Sequence, residues 1–284
     1  MNVATILNQT TKDFENNGLA SPRLDAEVLL ARLLKVDRLD LFKYPERELT
    51  DKELADFHPW VYRRRMGEPV AYITGRKEFW SLELIVNPDV LIPRPDTEIL
   101  VEEVLKYYKD SDKTDARILD VGTGSGAIII ALAAELKNAS LSACDISSKA
   151  IQVALRNAEA HSLAHRIAFF AGDMFAPVSG LFDGIVSNPP YIEDDTFYAL
   201  SREVRNFEPA SALMGGPDGM NFHRRLIRKG KHYLKKGGRL FLEIGAGQKE
   251  TVVGLFRNEG DYEDVACRKD YGGIERCITA RRKN

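Results

Sequence analysis

The chain has 284 residues, of which 44% are hydrophobic and 29% charged, and its formal net charge is −2. This length predicts a globular protein with two domains of unequal size, and the near-neutral balance excludes a global electrostatic field for nucleic acid. No apolar run approaches the length of a membrane span, and the N-terminus lacks a basic region followed by an apolar core. Neither export nor membrane insertion is expected, and the predicted location is cytoplasmic.

The three cysteines, Cys144, Cys267 and Cys277, are odd in number and lack the spacing of a metal site. Reduced thiols that pack as small apolar groups are therefore expected. No metal centre is predicted.

Residues 1–75 are predicted to form a helical domain. The Ser-Pro pair at 21–22 suits a helix N-cap followed by the first helical residue. Thr50 and Glu53 have the spacing of a capping box ahead of a further apolar run. Pro59 lies inside that run, so a kink or a break in the helix is expected there.

A run of three arginines, Arg63 to Arg65, closes the last of these helices near Gly67. A solvated helix face is the simpler interpretation of such a run. The alternative is a docking patch for an acidic or RNA-bearing partner, and the sequence leaves both open.

A change of hydrophobic pattern marks a β-hairpin between the two domains. From Tyr72 to Val86 apolar residues recur with period two, which is typical of a strand. The turn is predicted at Asn87-Pro88-Asp89, with the second strand at Val90 to Ile92. Residues 76–95 are therefore assigned to a hairpin linker.

Two prolines, Pro93 and Pro95, follow this hairpin and make the segment stiff. Such a segment can line the entrance to a site, which makes Arg94, between the prolines, a candidate substrate contact. Asp96 is a predicted N-cap for a helix over 97–108.

The remaining chain, residues 96–284, alternates strands with helices. The strands are predicted to end at five positions: Asp120-Val121, Asp145, Gly172, Asn188 and Ile244. Alternation of this kind predicts an α/β fold with a doubly wound parallel sheet.

A glycine loop follows the first of these strands. Gly122, Gly124 and Gly126 allow a tight turn and a close approach of the backbone to a ligand, and the next helix presents free N–H groups. A nucleotide-type cofactor is predicted. With Ala127 the loop also fits the dinucleotide pattern, and Asp145 lies at the distance expected for a ribose-binding carboxylate, so NAD is one candidate.

S-adenosylmethionine is the second candidate cofactor. Asp120 precedes the glycine turn, where a carboxylate can meet the ammonium group of the cofactor's methionine. The loop Asn188-Pro189-Pro190-Tyr191 ends a later strand, and hydride transfer has no evident use for it. These two features favour S-adenosylmethionine over NAD.

The candidate cofactor contacts all follow the carboxyl ends of strands, the edge at which ligands bind in this architecture. Asp145 is expected to bind both ribose hydroxyls. Asp173 is expected to accept a hydrogen bond from the adenine amine, with Met174 or Phe175 packed on the base. Structural alternatives exist, because Asp145 could be a helix N-cap and Met174 a core residue.

The Asn188-Pro189-Pro190-Tyr191 loop suits a planar amino group. The prolines restrict their own φ and the residue before them, so Asn188 and Pro189 are rigid. The two N–H donors of the amino group can bond to the Asn188 side-chain oxygen and the Pro189 backbone oxygen, while Tyr191 covers its face. A plain strand-ending turn is the alternative.

Over nearly its whole length the sequence resembles the release-factor glutamine N5-methyltransferases (PrmC/HemK family). The resemblance lies in Gly67 to Gly75, Ile92 to Glu98, Asp120 to Gly126, Asn188 to Tyr191, Phe207 to Pro209, and Gly215 to Gly219. The last two motifs are the most discriminating.

The resemblance implies a class I S-adenosylmethionine-dependent methyltransferase, with a Rossmann-like doubly wound sheet, an antiparallel last strand and a small N-terminal helical-bundle domain for substrate recognition. The implied reaction is methylation of the glutamine in the Gly-Gly-Gln loop of class I peptide chain release factors. A monomer that binds neither membrane nor nucleic acid is expected.

By the same resemblance, the cofactor contacts include Asp145, Met174, Asn188 and the glycine loop, Gly122, Thr123, Gly124, Ser125 and Gly126. Asp120, Asp173 and Phe175, which were inferred above from their positions, complete the predicted cofactor site. The resemblance also implies that Asn188, Pro189, Pro190 and Tyr191 hold the glutamine. Asn188, Pro189 and Tyr191 are the predicted catalytic residues, and Arg94 is a further predicted substrate contact. Many family members carry a tryptophan where this chain has Met174.

Three other functions fit parts of this pattern. Methylation of a ribosomal-protein glutamine differs only in the partner. Methylation of adenine N6 in DNA shares the Asn-Pro-Pro-Tyr loop, but the sequence lacks a basic target-recognition region. A non-catalytic cofactor-binding adaptor would not need Asn188 and Tyr191.

Overall fold

A computed structural model describes residues 1–110 and 115–284. The chain divides into two compact units, and each is built from two segments. The first unit comprises Met1–Arg76 and Ser201–Phe207, and the second comprises Lys77–Leu200 and Glu208–Asn284. Residues 201–207, which the sequence placed in the catalytic domain, thus belong to the first unit.

The helices are α1 Val3–Asn16, α2 Pro22–Leu34, α3 Arg38–Lys43, α4 Asp51–Arg65, α5 Val70–Thr74, α6 Glu98–Asp110, α7 Ala127–Glu135, α8 Ser148–Ala160, α9 Asp194–Phe197, α10 Arg202–Phe207, α11 Asn221–Gly230 and α12 Lys249–Glu259. The strands are β1 Arg76–Phe79, β2 Leu82–Ile85, β3 Arg117–Val121, β4 Ser140–Asp145, β5 Ile167–Ala171, β6 Phe182–Ser187, β7 Ile192–Glu193, β8 Met214–Gly216, β9 Leu234–Glu243, β10 Tyr262–Lys269 and β11 Glu275–Arg282. Short 3₁₀ turns cover Pro95–Thr97, Ala164–Arg166 and Ala210–Ala212.

Helix α4 of the first unit begins with the predicted capping box. Thr50 N donates to Glu53 Oε2 at 2.8 Å, and Glu53 N donates to Thr50 Oγ1 at 3.2 Å. The helix then continues through Pro59 to its end at Arg65. Of the predicted kink or break, the break is therefore wrong, and the kink stays a prediction. A proline removes one helical hydrogen bond, and the buried side chains of Phe57 and Arg64 anchor the helix on either side of it.

The arginine run at the end of α4 is not a uniform solvated face. The Arg64 side chain is 5% exposed, and it donates to Asp25 Oδ2 at 2.8 Å and to Glu203 Oε2 at 3.0 Å. Arg63 pairs with Glu68 instead. The sequence pattern missed these partners because Asp25 and Glu203 are remote in the chain.

The hairpin between the domains exists, but its turn was predicted in the wrong place. Strands β1 and β2 pair with each other and are joined by Trp80 and Ser81, whose φ angles are 54° and 57°. Two residues with positive φ are typical of a tight hairpin turn. Trp and Ser seldom adopt a positive φ, so the residue types at 80 and 81 did not indicate this turn, whereas Asn87-Pro88-Asp89 consists of common turn formers.

Residues 90–92 are not the second strand of the hairpin. Val90 N donates to Asn87 O at 3.1 Å, which closes a turn. Ile92 N donates to the side chain of Glu208, with 3.2 Å to Oε2. The backbone donors of this segment therefore have partners outside a sheet.

Asp96 is not a helix N-cap, contrary to the prediction. It lies within the 3₁₀ turn Pro95–Thr97, and α6 begins only at Glu98. Its carboxylate instead pairs with Arg276, with 3.2 Å between Oδ2 and the guanidinium.

The second unit contains, within the described residues, a seven-stranded sheet in the order β10-β11-β9-β6-β3-β4-β5. The strands β5, β4, β3, β6 and β9 are parallel neighbours, whereas β11 is antiparallel to both β9 and β10. The predicted doubly wound sheet with an antiparallel last strand is confirmed. The chain reverses its winding between β3 and β6, and the ligand crevice of such sheets lies at that point.

The core of this sheet is apolar, as a parallel sheet requires. Residues 118–121 of the central strand β3 are all buried, which is typical of strands covered on both faces.

Among residues 1–110 and 115–284, no helix is both long enough and apolar enough to span a membrane.

Candidate active site

The glycine loop connects β3 to α7 at the switch point of the sheet. Gly122, Gly124 and Gly126 have φ angles of 77°, 55° and 83°, a region that favours glycine. A Cβ on Gly126 would lie 2.9 Å from Ile130 Cδ1 and 3.1 Å from Ala154 Cβ, whereas a Cβ on Gly122 or Gly124 would meet nothing within 4 Å. The third glycine thus serves helix packing, and the first two border open space.

Asp145, at the end of β4, holds the glycine loop through its carboxylate. Oδ2 accepts from Gly124 N and Oδ1 from Ser147 N, both at 2.9 Å. The N-cap of α8 is Ser147, which accepts from Ala150 N, so Asp145 is not the cap itself. Burial raises the pKa of Asp145, and the two backbone hydrogen bonds oppose that rise.

Asp120 is fully buried beneath the glycine loop. Its Oδ2 accepts from Thr123 Oγ1 at 2.7 Å, while Oδ1 has no hydrogen-bond partner among the described residues. Burial raises the pKa of Asp120 to about 7, against the opposing hydrogen bond from Thr123. Ser125, in the same loop, is also buried. A buried acceptor without a partner needs an explanation, and a cationic ligand group would supply one.

The segment Asp173–Phe175 after β5 contains one exposed and two buried residues. The Asp173 carboxylate pairs with Arg225. Met174 is buried with a φ of 52°, and its carbonyl accepts from Cys144 Sγ at 3.0 Å. The Phe175 ring stacks on Tyr233, with 4.6 Å between ring centroids. Phe175 is thus a core residue of the second unit, and its contact with an adenine stays a prediction.

The Asn188–Tyr191 loop is held by hydrogen bonds to three other elements. Asn188 Nδ2 donates to Thr97 Oγ1 at 3.1 Å. Tyr191 OH donates to Glu243 Oε1 at 3.2 Å, and Tyr191 O accepts from Gln248 Nε2 at 2.9 Å. Pro189 is buried, whereas Asn188 and Pro190 are partly exposed. The loop is therefore fixed at both ends by hydrogen bonds.

The glycine-rich motif at 215–219 packs against the same loop. A Cβ on Gly215 would lie 2.8 Å from Tyr191 Cα, and a Cβ on Gly219 would lie 2.4 Å from Tyr191 O. Strand β8, which contains Gly215, pairs with β7 directly after Tyr191. Only glycine allows this close approach. This explains why the motif contains glycines, for which the sequence alone offered no structural reason.

Arg94 is held near the start of α6 by Glu208, with 2.5 Å between Nη2 and Oε1. One set of hydrogen bonds joins Asp120 to the glycine loop and the glycine loop to Asp145, and a second set binds Asn188 to Thr97 and Tyr191 to Glu243. Neither Arg94 nor Asp173 belongs to these two sets.

Sequence reasoning missed four residues that build the site: Thr97, Glu208, Glu243 and Gln248. Glu243 gave the strongest signal, because a carboxylate directly follows the apolar residues Leu240–Leu242 at the end of strand β9, which is the ligand-binding edge. Burial raises the pKa of Glu243 to about 7. Within the described residues, no cluster of three or more side chains suited to a metal ion is found.

The strand order, the glycine loop at the switch point and the polar loop one strand away define a class I methyltransferase. The profile described as the PrmC N-terminal domain matches residues 5–75, and that of the methyltransferase small domain matches residues 95–206. A methyltransferase from Pyrococcus furiosus shares the fold, with a TM-score of 0.52 and 20% identity over 72% of this chain and 90% of that one.

Two relatives with known names identify the family more narrowly. The release factor glutamine methyltransferase of Geobacter sulfurreducens is 41% identical over 280 residues, which cover 98% of this chain and 96% of the relative. That of Salmonella typhimurium is 44% identical over 262 residues, or 92% of each chain. The chain belongs to the release factor glutamine methyltransferase family.

Proposed function

We propose that this protein transfers a methyl group from S-adenosylmethionine to the side-chain amide nitrogen of the glutamine in the Gly-Gly-Gln loop of class I peptide chain release factors. The orientation of the Asn188 carboxamide carries the proposal. Its Nδ2 is bound to Thr97, which leaves Oδ1 as the acceptor for a substrate amide. The names of the relatives support the choice of partner, and a partner from translation implies a cytoplasmic reaction.

The residues around the glycine loop fit this cofactor. The unpaired Oδ1 of buried Asp120 suits its cationic amino group, and the open space at Gly122 and Gly124 suits a closely bound ligand. Each Asp145 oxygen accepts one backbone bond and retains a lone pair for a ribose hydroxyl. Asp173 and Met174 would adjoin the adenine.

The protein's contribution to the chemistry is orientation. An amide nitrogen is a weak nucleophile, because its lone pair is delocalised into the carbonyl group. Asn188 Oδ1 and the Pro189 carbonyl oxygen accept its two N–H bonds and so aim the nitrogen, and the Tyr191 ring covers the amide face. When bound, S-adenosylmethionine would supply an electrophilic methyl group, whose bond to sulfur breaks as the bond to nitrogen forms, with a neutral thioether as the leaving group. The nitrogen then loses one proton to water or another acceptor. Fixed orientation can contribute on the order of 7–11 kcal/mol to such a step.

The first unit is proposed to grip the release factor. Its support is a group of exposed apolar side chains on and after α3: Leu39 at 67%, Phe42 at 53% and Tyr44 at 62% exposure. Exposed apolar patches often mark interaction surfaces. Replacing Leu39 and Phe42 by serine should raise KM for the release factor and leave cofactor affinity unchanged.

The decisive experiment is intact-mass measurement of a release factor incubated with this protein and S-adenosylmethionine. One added methyl group on the native factor, and none on a variant whose Gly-Gly-Gln glutamine is replaced by asparagine, is the expected result. Parallel incubations with ribosomal proteins and with duplex DNA test the other acceptors. Methylation of one of those, with the release factor untouched, would refute the proposal.

A further inference from the structure

Gln248 lies at the start of helix α12, where its side chain does not cap the helix. It is the N-cap residue, a position at which short polar side chains such as serine or aspartate usually accept a hydrogen bond from the first turn. The Gln248 side chain forms no such bond. Both ends of its carboxamide are instead bound to other backbone groups of the second unit, which fixes the orientation of the amide.

The two ends of this carboxamide join two different backbone segments. Oε1 accepts from Gly245 N at 2.8 Å, in the turn between β9 and α12. Nε2 donates to Tyr191 O at 2.9 Å. Because an amide has one accepting end and one donating end, the bond to Gly245 leaves the donating end facing Tyr191. One side chain thus connects the turn after β9 to the end of the Asn188–Tyr191 loop.

The packing around Gln248 leaves little space for a different arrangement. A Cβ on Gly245 would lie 2.9 Å from Gln248 Oε1 and 3.1 Å from Tyr191 Cδ2, and a Cβ on Gly219 would lie 3.0 Å from Gln248 Nε2. The φ angle of Gly245 is not positive, so its backbone conformation does not require glycine. The closeness of the Gln248 amide and the Tyr191 ring does.

The end of the Asn188–Tyr191 loop needs an anchor that the prolines do not supply. They restrict φ at residues 189 and 190, but not the conformation of Tyr191. The peptide group after Tyr191 is bound on both sides: its oxygen accepts from Gln248 Nε2, and its N–H, which belongs to Ile192, donates to Leu213 O at 2.9 Å. Because the peptide group is planar, these two bonds together fix ψ of Tyr191.

We propose that Gln248 is a positioning residue for methyl transfer: it holds the backbone of Tyr191 so that the ring stays over the substrate amide. The inference rests on the function proposed above for the Asn188–Tyr191 loop. Gln248 acts through Tyr191 and does not itself contact the glutamine. The bond from Tyr191 OH to Glu243 Oε1 holds the far end of the same ring, so Tyr191 is fixed at its backbone and at its tip.

Two substitutions separate the two hydrogen bonds of Gln248. Gln248→Glu keeps an acceptor for Gly245 N but has no N–H for Tyr191 O, and Gln248→Met, of similar length, keeps neither bond. With cofactor saturating, both variants should lower kcat by about 3- to 10-fold, the range of one neutral hydrogen bond. KM for the release factor and the dissociation constant of S-adenosylmethionine should stay within about twofold of the wild-type values.

A purely structural role of Gln248 predicts a different result. If Gln248 only stabilises the turn before α12, Gln248→Glu should keep the wild-type kcat, because it keeps the bond to Gly245 N. A loss of kcat confined to Gln248→Met would therefore refute the proposal.

Lys249→Met is the matched control, since it introduces the same side chain one residue further along the chain. The Lys249 side chain is 40% exposed and lies 3.6 Å from Glu250, so kcat should not change. A double variant tests the path through Tyr191. In the Tyr191→Ala protein there is no ring to position, so adding Gln248→Met should lower kcat no further. A further loss as large as in the wild-type background would contradict the proposal.

Hydrogen exchange gives a measurement that does not depend on activity. The amide hydrogen of Ile192 should exchange about 3- to 10-fold faster in Gln248→Glu and Gln248→Met than in the wild-type protein, and at the wild-type rate in Lys249→Met. Equal rates in all four proteins would show that Gln248 does not hold the loop.

These measurements separate the inference from the proposed function. If the release factor is methylated and both Gln248 variants keep the wild-type kcat, the function stands and the positioning role is refuted. If exchange at Ile192 rises as expected but the wild-type protein transfers no methyl group to the release factor, the proposed function is refuted and the anchoring of Tyr191 by Gln248 stands.

Discussion

Arg94 and Glu208 form an ion pair in which only the arginine is open to solvent. Their side chains are 36% and 1% exposed. The second oxygen of Glu208 accepts from Ile92 N at 3.2 Å, so one buried carboxylate fixes both the backbone and the arginine of the segment before α6. Through Glu208, the Phe207-Glu208-Pro209 motif thus stabilises a segment that lies far from it in the sequence.

Glu208→Ala is expected to lower the free energy of unfolding by about 1–3 kcal/mol, because Ile92 N–H and Arg94 both lose a buried acceptor. Glu208→Gln retains an acceptor and should lose less. Denaturant unfolding measures both. An unfolding midpoint for Glu208→Ala equal to that of the wild-type protein would show that water replaces the carboxylate without loss.

Asp145→Asn should weaken S-adenosylmethionine binding by about 10- to 100-fold, since hydrogen bonds from the ribose hydroxyls lose the charge of their acceptor. Calorimetric titration gives the dissociation constant. Ser147→Ala is the matched control: it removes the α8 cap and should reduce stability by about 0.5–2 kcal/mol without a comparable loss of affinity. Equal affinity in Asp145→Asn and wild-type protein would remove Asp145 from the cofactor site.

Asn188→Ala should reduce kcat by about 10²–10³, the effect of losing one preorganised hydrogen-bonding group. Its melting temperature should hardly change, because the side chain is only partly buried. Tyr191→Phe keeps the ring and loses the bond to Glu243, so it should be much less impaired than Tyr191→Ala. A loss of activity in Asn188→Ala that follows a fall in melting temperature would mean that the loop is structural.

The pH dependence of the protein's stability should reveal the raised pKa of Asp120. Burial raises its pKa from 3.8 to about 7, so its stabilising contribution is complete below the unfolded pKa and is lost as pH rises through about 7. Asp120→Asn lacks this loss. The melting temperature of the cofactor-free variant, minus that of the wild-type protein, should therefore increase between about pH 5 and about pH 8. A difference that does not vary with pH would contradict the assignment.

Arg64→Met should destabilise the protein by about 3–5 kcal/mol, because it leaves the Asp25 and Glu203 carboxylates without their shared cation. Arg65→Ala is the matched control on the same helix. The Arg65 side chain is 41% exposed and approaches Asp13 only at 4.0 Å, so its loss should change stability by less than about 0.5 kcal/mol. Similar effects of the two substitutions on thermal unfolding would argue against the buried ion cluster.

The parts of the fold that the sequence predicted are those that depend on local pattern. Alternating apolar runs, the glycine turn and the Thr50 capping box each report on neighbours a few residues away, and the sheet and that helix start were confirmed. The hairpin turn was misplaced because Trp80 and Ser81 adopt positive φ under tertiary constraint. Nothing in the local composition indicates this.

The same distinction between local patterns and long-range contacts applies to the candidate site. Asn188, Tyr191 and the glycine loop could be predicted as candidates because glycines and an Asn-Pro-Pro-Tyr run directly follow the ends of strands. The roles of Thr97, Glu208 and Glu243 were not found, because each depends on a hydrogen-bond partner between 52 and 116 residues away. A lone threonine or glutamate in the sequence has no feature that names such a partner.

The first unit is built from two separate segments of the chain, and this limits how recombination can exchange it between related proteins. A fragment that ends at Arg76 encodes that unit without α10, and one that starts at Lys77 carries α10 without Arg64, the partner of Glu203. No single crossover can exchange the helical unit as a cassette. A change of partner specificity by recombination would have to bring residues 201–207 along with the N-terminal segment, so the two units are expected to share one evolutionary history.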